Sequence, residues 1–216
     1  VNSSAATLLK NRVILNLNDP CKIEGDLSWI KPQKYVGIWW EMHVGKGSWD
    51  YTEDPDLNSA RKPHGRHSAT TANTKKYIDF ASKYGFDGVL VEGWNEGWED
   101  WFDQRKEDVF DFTKPYPDYD IEELSRYAKE KGVKIITHHE TSAAVTSYER
   151  QMEAAYNFME KYGMNSVKTG YVGHVIPKGE WHDGQWMSNH YIRVAQATAR
   201  HKIMLDAHEP ARPSGW

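Results

Sequence analysis

Nine side chains in this 216-residue sequence could do chemistry together: Glu41, His43, Glu92, His138, His139, Glu140, Lys168, His208 and Glu209. Each stands at or just after the end of a short apolar run. His138 and Glu140 are two apart, so on a strand they face one side while His139 faces the other. His139 is then expected to pack between the strand and its covering helices. Glu140 and Glu209 end different runs and can face one cavity. Two carboxylates across a cleft suit glycoside hydrolysis, one as acid and the other as base or nucleophile. They suit a hard cation equally well, because such ions prefer oxygen ligands.

Other chemistries fit less well. The histidines of His64-Gly65-Arg66-His67 lie in a Gly/Pro-rich loop with nothing nearby in the sequence to complete a zinc site. The only cysteine, Cys21, cannot supply the two thiolates of a zinc deaminase or an internal disulfide. No Gly-x-Ser-x-Gly elbow occurs, so acyl transfer is unsupported. A zinc-dependent hydrolase using His138 and His208 remains a competing reading. The composition favours sugar: 10 Trp, 12 Tyr and 6 Phe make 13% of the chain. Trp39, Trp40, Trp49, Trp94, Trp98, Trp101, Trp181 and Trp186 all fall on or after strand ends. One or two of them are expected to stack on sugar rings, and the rest to pack the long loops.

The elements that must position these residues repeat. Tyr35–Trp40, Gly88–Glu92, Lys134–Thr137, Ser166–Thr169 and Lys202–Asp206 read as strands. Thr74–Tyr84, Asp120–Lys131, Ser147–Tyr162 and Ser188–His201 read as helices, three of them stopped by Gly85, Gly132 and Gly163. Strands joined by helices imply a parallel sheet. Gly45-Lys46-Gly47 lacks the third glycine of a dinucleotide-binding turn. The predicted fold is therefore α/β of the (β/α)8 TIM-barrel type, with about five βα units present as a partial barrel. In such barrels the reactive groups collect at the C-terminal ends of the strands. That pattern gathers Glu41, His43, Glu92, Trp94, Asn95, His138, Glu140, Lys168, Tyr171, His208 and Glu209.

Residues 1–34 stand outside the repeat. The alternation of Arg12–Leu17 reads as a strand, so 1–34 are expected to be the end of a preceding β-sandwich and linker, and 35–216 the N-terminal portion of the barrel. Twenty-seven Lys and Arg against 31 Asp and Glu give a net charge of −4, which argues against a nucleic-acid partner. No run of 18 apolar residues suggests a membrane span. No leader segment is evident at Val1–Ser4. Open parallel edges are expected to be covered by an oligomer or by the remainder of a longer chain.

Four stretches carry a family resemblance: Lys34–Trp40, Gly88–Asn95, Thr137–Ser142 and Leu205–Pro213. In this order they resemble glycoside hydrolase family 97, the SusB-like α-glucosidase family. The resemblance implies an inverting, calcium-assisted cleavage of α-linked glucosides or oligosaccharides. Glu140 and Glu209 would activate the attacking water, and Glu209 would also ligate Ca2+. Glu92, His138, Lys168 and His208 would hydrogen-bond the sugar. Retaining members, such as α-galactosidases, place an aspartate on the strand after His-His-Glu, where this sequence has Val167-Lys168-Thr169-Gly170-Tyr171. The general acid and further calcium ligands are expected beyond Trp216, and another ligand before Val1, so the 216-residue piece would be inactive. The parent protein would be periplasmic or secreted. A non-catalytic carbohydrate-binding module and a retaining α-galactosidase-like member are the alternatives.

Overall fold

A computed structural model describes residues 4–11, 13, 17, 20–54, 61–102 and 105–209. Five parallel strands form one sheet in the order of the sequence: β1 (Tyr35–Gly37), β2 (Gly88–Val91), β3 (Lys134–Glu140), β4 (Ser166–Gly170) and β5 (Met204–Ala207). Helices α1 (Ala5–Leu9), α2 (Trp39–His43), α3 (Thr71–Tyr84), α4 (Ile121–Glu130), α5 (Val145–Lys161) and α6 (Gln185–Arg200) accompany them. Consecutive strands are neighbours throughout, as in a barrel wall wound in one direction. A doubly wound sheet would reverse its strand order at a switch point.

The helices start and stop where local chemistry requires it. The Thr70 hydroxyl accepts from the Asn73 N–H at 3.1 Å, and the Asp120 carboxylate accepts from the Glu123 N–H at 2.9 Å. These caps satisfy donors that have no partner within their own helix. Gly85, at φ +71°, ends α3 in the left-handed region, where a side chain would be strained. In α3 the buried positions are Thr74, Ile78 and Ala81, and in α4 they are Ile121, Leu124 and Ala128. That spacing makes one apolar stripe on each helix.

The strand registers fix two faces. Val36, Val89, Val91, Ile135 and Val167 meet the helical stripes and, with Tyr156, Met159 and Ala197, form the main core. The opposite face carries Leu90, Glu92, Ile136, His138, Glu140, Lys168, Gly170 and Asp206, because paired residues of a parallel ladder share a side. Leu90 and Ile136 fill the lower part of this inner face and are buried. The polar groups occupy its C-terminal end.

Three readings from sequence change. The first strand stops at Gly37, and Trp39–His43 is helical, so Glu41 and His43 are not strand-end residues. Glu41 instead ties α2 to α3, accepting from the Tyr77 hydroxyl at 2.8 Å and from the Asn73 amide at 2.9 Å. Val13 and Leu17 are helical rather than extended. The rest of that stretch, Arg12 and residues 14–16, lies outside the described residues, as do Pro55 and the Pro210–Pro213 part of the fourth family-like motif.

Candidate active site

The site is built on β3, β4 and the turns after them. Beyond Glu140 the backbone turns through Ser142 and Ala143, both left-handed at φ +51° and +55°. This is a costly arrangement for residues with side chains, and such strain gathers at functional positions. Its result is that the Ser142 N–H donates to Glu140 Oε1 at 2.8 Å. The same oxygen accepts from the Val172 N–H at 3.1 Å. The preceding amide, of Tyr171, donates to Glu209 Oε2 at 2.8 Å. Successive peptides after β4 thus hold the two candidate catalytic carboxylates side by side. Glu209 is itself left-handed, at φ +58°, and its carbonyl accepts from the Tyr191 hydroxyl at 3.0 Å.

Glu140 leans directly on the β4 backbone. A Cβ placed on Gly170 would lie 2.1 Å from Glu140 Oε2, so a side chain there would displace the carboxylate. Burial pushes the Glu140 carboxyl up to about 7. The two backbone N–H bonds oppose that rise, and the charges of Glu209 and Glu92 add to it.

Glu92 goes the other way. Burial alone would raise it, but the neighbouring His138 and Lys168, with the hydrogen bond from Lys168, bring it below its ordinary value. Lys168 Nζ lies 2.9 Å from Glu92 Oε1. Burial in turn lowers His138 itself to about 4. Environments that drive two carboxylates apart in this way are how one site keeps an anion beside a group that can take and release a proton.

His138 is buried under the Trp98 ring, with centroids 5.8 Å apart, and its Nδ1 has no hydrogen-bonding partner among the described residues. An unpartnered buried nitrogen is costly unless something else pairs with it. His208 follows β5, with its N–H donating to the Thr169 carbonyl at 2.9 Å. Its ring is exposed, and Nδ1 lies 3.9 Å from Glu209 Oε2. Glu92, His138, Glu140 and Lys168 therefore share the inner face, Glu209 joins them through the β4 turn, and His208 stands at the rim.

Three participants escape the sequence reading. Asp206 faces the same side as Lys168 and accepts from the Tyr35 hydroxyl at 2.5 Å, linking the fifth strand to the first. Its period-two relation to His208 was a usable signal. Gly170 and the Tyr171–Val172 amides carry no side-chain signature at all.

The other candidates have structural partners. His139 is fully buried with Nδ1 3.1 Å from the Tyr148 hydroxyl, between strand and helices as expected. His67 bridges Asp118 and the Gly93 carbonyl, and His64 lies 3.0 Å from Asp50. Trp94 and Trp98 are buried, and the Trp94 indole donates to the His138 carbonyl at 2.8 Å. Trp49 and Trp101 pack around Trp98. Trp40 and Trp181 remain open to solvent, at 63% and 72% exposure.

Among the described residues no group of three or more His, Cys, Asp or Glu converges on a point where a metal could sit. A calcium ion takes six to eight oxygens. These residues by themselves do not supply that set.

The fold and the site define a parallel α/β barrel sector with carboxylates, a lysine and an imidazole at its catalytic rim. The sequence model of glycoside hydrolase 97 matches residues 39–216. A family 97 enzyme from Pseudoalteromonas sp. strain K8, solved in complex with acarbose, superposes with a TM-score of 0.83 at 48% identity, covering 99% of this chain and 32% of that one. A variant of that enzyme in complex with panose gives the same figures. A retaining alpha-galactosidase from Bacteroides thetaiotaomicron is 30% identical over 190 residues, or 88% of this chain and 23% of its own. The chain belongs to glycoside hydrolase family 97. It spans about a quarter to a third of the length of these relatives.

Proposed function

We propose that the protein carrying this chain is an inverting glycosidase acting on α-linked gluco-oligosaccharides, with Glu140 and Glu209 as the carboxylates that activate water. The observation that supports it is the contact between Glu140 and Gly170. A retaining enzyme of this family is expected to carry a nucleophile on the strand after His-His-Glu. The inward positions of β4 here are Lys168 and Gly170. A side chain at Gly170 would have to occupy space already taken by Glu140 Oε2.

In this reading a water oxygen bonds to the anomeric carbon as the glycosidic C–O bond breaks. The water's proton passes to Glu140, whose raised affinity makes it a better acceptor near neutral pH than an ordinary carboxylate. The proton for the leaving oxygen comes from a general acid that the family resemblance implies beyond Trp216. The ionised Glu92 accepts from a sugar hydroxyl, Lys168 fixes Glu92 and donates alongside it, and His138 Nδ1 gains the partner it lacks.

The gluco preference draws on the Pseudoalteromonas complexes with acarbose and panose. Calcium ligation by Glu209, residues 1–34 as the end of a preceding β-sandwich and linker, and a periplasmic or secreted location are part of the same proposal and rest on the family resemblance.

The test is the stereochemistry of the first product. With the full-length protein and an α-glucoside, proton NMR should show the β-anomer of glucose before mutarotation, and Glu140→Gln should abolish its formation. Initial release of the α-anomer would replace this reading with a retaining one, as in the Bacteroides relative. Binding of maltooligosaccharides with no turnover by the wild-type protein would favour a carbohydrate-binding module.

A further inference from the structure

Behind the β4 turn lies a buried polar chain that the proposed reaction does not use. Tyr171 sends its backbone N–H inward to Glu209 and its side chain outward between α5 and α6, where it is almost fully buried. Its hydroxyl lies 2.9 Å from Nε2 of His190 on α6, which is fully buried. Nδ1 of His190 lies 2.7 Å from Oε1 of Glu149 on α5. Arg193, one turn along α6, donates to the same oxygen through Nε at 2.9 Å and Nη2 at 2.6 Å. The Tyr171 carbonyl is held as well, 2.8 Å from Nε2 of His182.

The donors leave one arrangement. Arg193 has only donors, so Glu149 is the ionised acceptor of both Arg193 and the His190 Nδ1–H. Burial lowers the His190 imidazole below its ordinary value and keeps it neutral, so Nε2 is an acceptor and the Tyr171 hydroxyl donates to it. Every buried group in the chain is satisfied, which is the condition under which such a network rigidifies what it holds.

We propose that Glu149, His190 and Tyr171 are positioning residues for the catalytic carboxylates. Two helices anchor the Tyr171 ring, the ring fixes the Tyr171–Val172 peptides, and those peptides set where Glu209 and Glu140 stand. The inference rests on the proposed role of those carboxylates. None of the three side chains is placed in contact with the sugar, so the device acts on the water-activating step and not on substrate affinity.

The test uses the full-length protein and Tyr171→Phe, which removes one hydroxyl and keeps the ring and the amide. The expected result is a kcat about tenfold lower with KM within twofold of wild type. His190→Ala should do the same. His190→Gln, whose amide can still accept the tyrosine proton, should recover most of the loss, which a merely destabilised fold would not show. Hydrogen exchange, read by mass spectrometry on peptides spanning residues 170–173, gives a measure independent of turnover: exchange there should quicken in Tyr171→Phe while the α5 amides keep their protection. Unchanged kcat in Tyr171→Phe overturns the proposal. If the wild-type protein hydrolyses no α-glycoside, the functional reading fails, and unchanged exchange over residues 170–173 then overturns the positioning role separately.

Discussion

Gly170 carries more of the proposed chemistry than its missing side chain suggests. Its bare backbone is the surface against which Glu140 rests, 2.1 Å from where a methyl group would begin. Gly170→Ala should lower kcat of the full-length enzyme at least a hundredfold while far-UV circular dichroism stays unchanged, because the carboxylate must swing away from its two N–H donors. Near-normal turnover by this variant would show that the present Glu140 position is not the reactive one. Residues of this kind are illegible in sequence. Glu140, Glu92 and Lys168 announce themselves by type and by the ends of the runs they close. A glycine that makes room, or an amide that happens to point inward, has no letter of its own. Asp206 is harder to read as a site residue, since a charge closing an apolar run looks like its border.

The elements were readable for the opposite reason. Gly85, Gly132 and Gly163 stop helices in favour of strands, and each strand lies within a few residues of its expected span. The error at Trp39–His43 is physical: a short apolar stretch has no period long enough to separate a strand from one turn of helix. Tryptophan posed a related difficulty. Position in a loop does not reveal burial: Trp94 joins the main core, and Trp98 packs with Tyr51, Phe110, Phe112 and Tyr116 in a second one. The caps do show in the letters and carry a measurable share of stability. Asp120→Ala should cost about 1 kcal/mol, the usual value of an N-cap carboxylate, and Thr70→Ala a similar amount. Urea unfolding at neutral pH checks both, and a loss below about 0.3 kcal/mol would mean that solvent replaces the cap.

At the scale of the whole molecule, the buried imidazoles set a pH limit. Burial lowers His138 to about 4 and His139 to about 3 from an ordinary 6.5. The unfolded chain therefore binds more protons than the folded one below pH 6.5. The share of stability that these two imidazoles carry rises with pH across that window and is lost as pH falls. Between pH 6.5 and 5 the loss is on the order of 2 kcal/mol per imidazole. His139 is the cleaner probe, because it faces the helices among Phe112, Tyr148 and Tyr156. Glu140, raised to about 7, opposes the imidazoles over the same window, and His139→Phe should make the fall in urea midpoint between pH 7 and pH 5 clearly smaller. A slope identical to wild type would assign the acid sensitivity to other groups.

The paired amides after β4 have a consequence for motion. Glu209 and Glu140 are referenced to adjacent peptides, through Tyr171 and Val172. When the barrel wall breathes, both carboxylates ride on the same stretch of backbone, so their displacement is common to both and their separation fluctuates less than either position. For a water that both carboxylates must address at once, a shared mount of this kind filters out thermal noise in the spacing between them. Heating should therefore blur where the pair sits in the barrel before it blurs the gap between each of them and their common support.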